Sequence, residues 1–231
     1  MSNNPEDKKI IIPVFPLPEV VLLPGMNLPI HIFEERYKQM ISSVLNGNKQ
    51  FGVVLLLSNI CAQVGTIAEI IDVENLEDGK MNILVEGKNR FKINSLISEE
   101  PYFVAQIQLY EDLEEEINSE LKKAFKQIRK LSSKALNIFD KVSDQDMSKK
   151  IKLPEDPSEL MYLITANLSC PYESKQYILE SQSVRDRVDK VMLLLKDEIQ
   201  RLEVLLENKK TKKEVVKNGK LKIYLSDFFF L

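Results

Sequence analysis

The chain has 231 residues, of which 44% are hydrophobic and 29% are charged, and its net charge at pH 7 is −3. This composition is ordinary for a globular protein and excludes a chain that is disordered throughout. Its longest apolar runs fall far short of the roughly 20 residues that a membrane-spanning helix needs. The amino terminus lacks the basic-then-apolar order of a secretory signal, so a cytoplasmic location is expected.

The charge is unevenly distributed along the chain. Residues 208–231 hold seven lysines and two acidic residues, a net charge of +5, which leaves −8 for residues 1–207. A nucleic-acid-binding domain normally carries a basic face on its folded part. The acidic body therefore argues against nucleic acid as a partner, except through the basic tail, and a solvated tail without a partner is the simpler interpretation.

Residue types that bind metals or act as nucleophiles are sparse. Cys61 and Cys170 have no Cys or His neighbour at ligand spacing, so neither a metal site nor a disulfide is predicted. The single histidine, His31, has apolar neighbours and is interpreted as structural. No cofactor is implied, and no catalytic or metal-binding residue is assigned.

Residues 10–111 carry nearly all the strand signals. Prolines in the first part restrict the strands there to short or edge positions. One short helix, which Gly47 ends, interrupts the strands. Its apolar residues have helical spacing: Tyr37, Met40, Ile41, Val44 and Leu45. Further on, Asp78 and Gly79 predict a hairpin between two strands.

Gly87 and Lys88 match the glycine-lysine pair that ends a phosphate-binding loop, but the rest of that pattern is missing. Asn82 stands where the earlier glycine belongs, and Asn89 stands where the loop needs a Ser or Thr. Gly87 is therefore predicted to form a bulge or tight bend where the strand turns away.

From about residue 111 the apolar spacing becomes helical. A first helix is predicted over 111–141. A second runs from a cap at Asp156 or Ser158 to a break at Pro171, and a third covers 172–180. A last amphipathic helix covers roughly 181–208. Its far end either projects as a coiled-coil arm or simply packs on the preceding helices.

These patterns divide the chain into four segments. Residues 1–9 are a flexible amino terminus, 10–111 a β-rich lobe, 112–208 a helical lobe, and 209–231 a basic tail with an apolar end. The tail's final "KIYLSDFFFL" either docks as a strand or stays exposed.

Four stretches, in this order, resemble the amino-terminal domain of Lon ATP-dependent proteases and of free-standing Lon-domain proteins. They are "IPVFPLPEVVLLPGMNLPIHIFEERY", "VGTIAEIIDVENLEDGKMNILVEGKNRFKI", "DPSELMYLITANLS" and "KQYILESQSVRDRVDKVMLLLKDEIQRL". The resemblance covers roughly residues 10–207. It implies an α+β fold with a PUA-like β-rich lobe, mostly antiparallel sheet or barrel with one short helix, followed by an α-helical lobe ending in a long helix.

The resemblance also implies a function without catalysis. The domain would recognise substrates by binding unfolded or degron-bearing polypeptide segments, as an adaptor in proteolysis. The sequence shows no Walker motif and no glycine-framed serine, so the ATPase and Ser-Lys protease activities of full Lon are not carried over. Serine and lysine are neighbours at three places, but adjacent helical residues point to different faces and form no dyad.

For polypeptide contact, the resemblance points to the start of the short helix, at Phe33, Glu35, Arg36 and Tyr37. The alternative is that Phe33 and Tyr37 anchor the helix to the sheet while Glu35 and Arg36 are solvated. Possible partners are an extended polypeptide, a protease, and a second copy through the terminal helix. An RNA-binding PUA-like protein and a residual Lon-related peptidase are the alternative functions.

Overall fold

A computed structural model describes the backbone of residues 10–217 and the side chains of residues 10–211. The first part consists of seven strands and one helix: β1 Ile10–Pro18, β2 Asn27–Ile32, α1 Glu35–Leu45, β3 Gln50–Leu57, β4 Ile60–Cys61, β5 Val64–Asn75, β6 Met81–Ser98 and β7 Phe103–Leu109. The second part is helical: α2 Ser119–Ser143, α3 Met147–Lys150, α4 Pro157–Asn167, α5 Tyr172–Glu180 and α6 Val184–Lys217. We call the first part the sheet lobe and the second the helical lobe. The apolar end of the tail lies outside the described residues.

Five strands of the sheet lobe close into a barrel. The order β1-β7-β6-β5-β3 is antiparallel throughout, and a parallel pairing between β3 and β1 completes the ring. Closure removes the unpaired edges that an open sheet would expose. β2 and β4 stand outside the ring, paired with β6 and β3. The predicted α+β class, with a mostly antiparallel sheet followed by helices, is confirmed.

Three apolar clusters form the core of the protein. One fills the barrel around Phe91, and a second joins the sheet to α1. The third is the core of the helical lobe, but it also includes Leu23, Leu55 and Val64 from the sheet lobe. The two lobes therefore bury apolar surface against each other, which is the main favourable contribution to their association.

Helix α1 begins and ends close to the predicted positions. Tyr37, Met40, Ile41 and Val44 are buried on one face, as the helical spacing predicts. Asn46 caps the carboxyl end, and the Gly47 amide donates to the Val44 carbonyl at 3.0 Å. The hairpin at Asp78 and Gly79 is also confirmed, and both residues have the positive φ that this turn requires.

Gly87 forms a bulge, as predicted, but the strand does not end there. β6 runs on to Ser98, and between Gly87 and Arg90 it has one residue more than β5 opposite. The loop before β2 crosses directly over Gly87. The Gly87 amide donates to Met26 and its carbonyl accepts from Gly25, at 2.9 and 2.8 Å. A side chain there would meet the Leu23 carbonyl oxygen at 2.3 Å, so glycine is needed for close approach of backbone.

The prediction for the start of α2 is wrong. The helix begins at Ser119, after Asn118, whose side chain accepts from the Leu121 amide. Residues 111–117 form neither helix nor strand, and the Leu113 amide donates to the Gln182 carbonyl at 3.0 Å. This tertiary hydrogen bond and the asparagine cap outweigh the helical propensity of the glutamates before them.

The later helices follow the prediction more closely. Asp156 caps α4 by accepting from the Glu159 amide, while Ser158 is engaged elsewhere. Helix α5 covers 172–180 as predicted. Helix α6 has 34 residues, about 51 Å in length, and extends nine residues beyond the predicted end. It packs on α2 as far as Lys209, which donates to the Lys141 and Val142 carbonyls.

Helices α2 and α6 run parallel. Ion pairs join Glu120 to Arg185 at one end and Lys134 to Glu203 further along. Within residues 10–217, no helix is both long and apolar enough to cross a membrane.

Candidate functional site

The surface around the start of α1 carries an exposed aromatic side chain. Phe33 follows β2 directly and is 59% exposed. Its ring stacks on His31, with centroids 5.9 Å apart and an interplanar angle of 22°. His31 is held in turn by Asn82, 2.7 Å from its Nδ1 atom. An exposed Phe that is supported from one side is pre-organised to receive an apolar group on the other.

The other three predicted contact residues lie at the same place, at different depths. Glu35 and Arg36 are exposed. The Arg36 guanidinium pairs with Glu34 at 2.8 Å and lies 4.5 Å above the Tyr37 ring. Tyr37 itself is buried, with its ring 4.2 Å from that of Phe15, and burial raises the pKa of its phenol. Tyr37 therefore anchors the helix, whereas Phe33 does not.

β2 forms an edge beside this surface. Among the described strands it pairs only with β6. Pro29, in its middle, has no backbone N–H, and strand prolines turn their nitrogen towards the open side of an edge. This edge is therefore poorly suited to a continuous ladder with an added strand, and side chains are the better means of contact here.

A second polar feature joins the two lobes. Arg90 of β6 and Arg187 of α6 are 6% and 0% exposed, and both form ion pairs with the carboxylate of Asp112. Arg90 also donates to the Leu179 and Ser181 carbonyls at 2.8 and 2.7 Å. Ser158 of α4 donates to Asp112 at 2.8 Å. We call Arg90, Asp112, Ser158 and Arg187 the interlobe cluster.

The pKa of Asp112 reflects this position. Burial alone would raise it, but hydrogen bonds and charge from Arg187, the hydrogen bond from Ser158 and the charge of Arg90 outweigh burial and hold the pKa below its usual value. Asp112 is thus ionised between two arginines. Perturbed pKa values often mark active sites, but these partners are structural, because they tie one strand, one linker and two helices together.

One cavity lies beside the interlobe cluster, and another lies apart from it in the helical lobe. A cleft of about 270 Å³ lies beside the interlobe cluster, between Lys88, Tyr110 and Tyr162. A more apolar cavity of about 160 Å³ lies in the helical lobe, between Leu136, Phe139 and Leu163. Neither brings together a nucleophile, a base and an oxyanion pocket, the three groups that hydrolysis requires.

In two of the three serine-lysine neighbours, each side chain bonds to another residue and not to its neighbour. Ser133 donates to the Arg129 carbonyl at 3.0 Å, while Lys134 pairs with Glu203. Ser148 donates to Asp140, while Lys149 pairs with Asp146. Among the described residues no group of three or more His, Cys, Asp or Glu side chains is placed to hold a metal ion.

Together these features describe a barrel with an exposed aromatic-and-charged surface, joined to a helical bundle through the interlobe cluster and a shared apolar core. Comparison with known families identifies the class of domain. Residues 11–197 match the model of the ATP-dependent protease La (LON) substrate-binding domain. The chain belongs to this family.

Its curated relatives are whole proteases. The Lon proteases of Cytophaga hutchinsonii and Flavobacterium johnsoniae are each 26% identical to it, and each alignment covers 87% of this chain but 26% of the relative. The chain thus spans about a quarter of the length of the relatives it matches.

Solved structures match over a larger share of their own length. A Lon N-terminal domain protein from Xanthomonas campestris has a TM-score of 0.61 and 20% identity, covering 80% of this chain and 98% of that one. The N-terminal domain of a Mycobacterium avium complex Lon protease has a TM-score of 0.65 and 22% identity, covering 81% and 99%. These likenesses show that the fold is shared.

Proposed function

We propose that this protein is a non-catalytic substrate-recognition module, which binds unfolded or degron-bearing polypeptide segments as an adaptor in proteolysis. The observation that carries the proposal is the exposed Phe33 ring beside the charged first turn of α1, in a chain of the LON substrate-binding family. An unfolded segment exposes apolar side chains together with polar backbone. Phe33 offers apolar surface for the former, and the Arg36 and Glu35 side chains offer polar groups for the latter.

Membership of the family supports a substrate-recognition role, and the geometry suggests its form. Phe33, Glu35 and Arg36 contact the polypeptide directly, while the buried Tyr37 holds α1 in place beneath them. The sheet lobe carries this contact surface and the helical lobe supports it, with the boundary between them proposed near residue 111. A protease, or a second copy through α6, is the proposed further partner, and the proposed location is the cytoplasm.

The proposal is tested with a labelled, permanently unfolded polypeptide. Its fluorescence anisotropy is measured as purified protein is added, with the same polypeptide in its native form and a short RNA as competitors. We expect saturable binding that neither competitor displaces. If the unfolded polypeptide does not bind, or if RNA displaces it, the proposal is refuted.

Replacing Phe33 by alanine should weaken this binding about five- to thirtyfold, since burying an aromatic side chain contributes on the order of 1–2 kcal/mol. The matched control is Ile11→Ala on β1, because Ile11 is 58% exposed and Phe33 59%. The control should leave the affinity within twofold. Equal affinity of F33A and the control would place the contact surface elsewhere.

A further inference from the structure

The solvent face of α2 is rich in lysine. The helix contains seven basic residues and two acidic ones. Four lysines repeat at every fourth position, Lys122, Lys126, Lys130 and Lys134, and all four are exposed. Like charges at this spacing destabilise a helix, so the arrangement opposes the stability of the element that carries it.

Three of these four lysines have no counter-charge within the described part of the chain. Lys134 pairs with Glu203 at 2.7 Å, but within residues 10–211 Lys122, Lys126 and Lys130 form no ion pair. Some other lysines do form ion pairs, as Lys38 does with Glu35 and Lys88 with Glu86. We call Lys122, Lys126 and Lys130 the lysine row.

Its surroundings make the lysine row an isolated basic surface. Residues 1–207 carry a net charge of −8, and the linker directly before α2 is acidic, with Glu111, Glu114 and Glu116 exposed. A polyanion is repelled by most of this body and attracted to the solvent face of α2. The charge pattern thus selects both the kind of partner and the place where it binds.

Successive lysines of the row are about 6 Å apart, since four residues rise 1.5 Å each. In an extended polypeptide, alternate side chains lie on one side at intervals of about 6.6 Å. Carboxylates at alternate positions of an extended chain therefore have nearly the same spacing as the lysines have along the helix axis. This spacing is present in any extended chain, so the partner does not have to be folded.

The same face lacks what single-stranded nucleic acid needs. Aromatic rings on which bases stack are absent from the exposed positions between Lys122 and Lys134, because Phe125 packs against the helical core. The exposed positions between the lysines include Gln127 and Ser133. Lysine, unlike arginine, also offers no fork for bidentate phosphate contact.

From these observations we infer that the lysine row is a second binding surface, for extended acidic polypeptide segments with carboxylates at alternate positions. This surface lies in the helical lobe and does not depend on the contact surface at α1. It gives the protein a preference for chains in which an acidic stretch accompanies an apolar one.

The test uses the purified full chain and a labelled peptide of alternating glutamate and threonine. A peptide with glutamine in place of glutamate is the ligand control. In 50 mM salt we expect the acidic peptide alone to bind, with at least fivefold weaker affinity in 500 mM salt, because exposed charge pairs are screened. No binding of the acidic peptide, or equal binding of both peptides, overturns the inference.

The variant K122Q/K126Q/K130Q should weaken binding of the acidic peptide at least tenfold. The matched control K49Q/K80Q/K152Q removes three other exposed lysines that form no ion pair within residues 10–211, and should change the affinity less than twofold. F33A should leave the affinity for the acidic peptide unchanged, which separates this inference from the proposed function. Equal losses in both lysine variants, or a tighter complex with a short RNA than with the acidic peptide, would refute the assignment.

Discussion

Replacing Asp112 by asparagine is expected to lower the free energy of unfolding by about 3 kcal/mol. The substitution keeps the shape of the side chain but leaves Arg90 and Arg187 buried, with 6% and 0% exposure, without their shared carboxylate. An uncompensated buried charge costs far more than an exposed pair contributes. Because Asp112 is itself 28% exposed, we place the loss at the lower end of the range for buried pairs.

The measurement is urea unfolding at pH 7 followed by circular dichroism, with an unchanged slope expected if the transition stays two-state. Glu111→Gln is the matched control, since Glu111 is the exposed neighbour whose hydrogen bond to Gln182 uses only its backbone carbonyl. That control should shift stability by less than about 0.5 kcal/mol. A loss below about 1 kcal/mol in D112N would mean that water or Glu111 compensates the two arginines.

The same carboxylate predicts how stability depends on pH. The pKa of Asp112 is lowered in the folded protein, whereas in the unfolded chain it is about 3.9. Its contribution is therefore fully present above the unfolded value and is lost as the pH falls through the folded value. The stability difference between wild type and D112N should stay constant from pH 7 to about 5 and shrink below about pH 4. A difference that grows on acidification contradicts this assignment.

Local signals predicted much of the fold. Pro171 and the apolar spacing after it placed α5 correctly, and Asp78-Gly79 placed the hairpin, because both depend on backbone preferences of neighbouring residues. The start of α2 was misplaced for the opposite reason. The linker before it is held by Gln182, a residue about 70 positions away, and no local pattern reveals that contact.

The proposed binding surfaces were partly visible in the sequence. The helical spacing of apolar residues predicted that Tyr37 lies on the buried face of α1. The exposure of Phe33 depends on where β2 ends and could not be predicted. The positions of the α2 lysines can be read from the sequence, whereas their lack of counter-charges is known only from the packing of α6 beside them. The interlobe cluster joins residues 22 and 75 positions apart, so only the folded chain reveals it.

Replacing Gly87 by alanine should lower the free energy of unfolding by about 3 kcal/mol, an effect of overpacking against rigid backbone. The new Cβ atom would meet the Leu23 carbonyl oxygen at 2.3 Å. To relieve this contact the loop must move away, and the hydrogen bonds of Gly87 to Met26 and Gly25 lengthen with it. The loop also carries Leu23, which is fully buried in the core shared by the lobes, so the shift spreads into that core.

Gly47→Ala is the matched control, because its nearest contact would be the Val44 carbonyl at 3.6 Å, an ordinary distance. It should leave stability within about 0.5 kcal/mol in the same urea titration. If G87A instead unfolds at the same urea concentration as wild type, the loop is free to shift and close approach does not explain the glycine. If Gly87 belonged to a phosphate loop, its substitution would reduce nucleotide binding; we expect a loss of stability and no nucleotide binding in either protein.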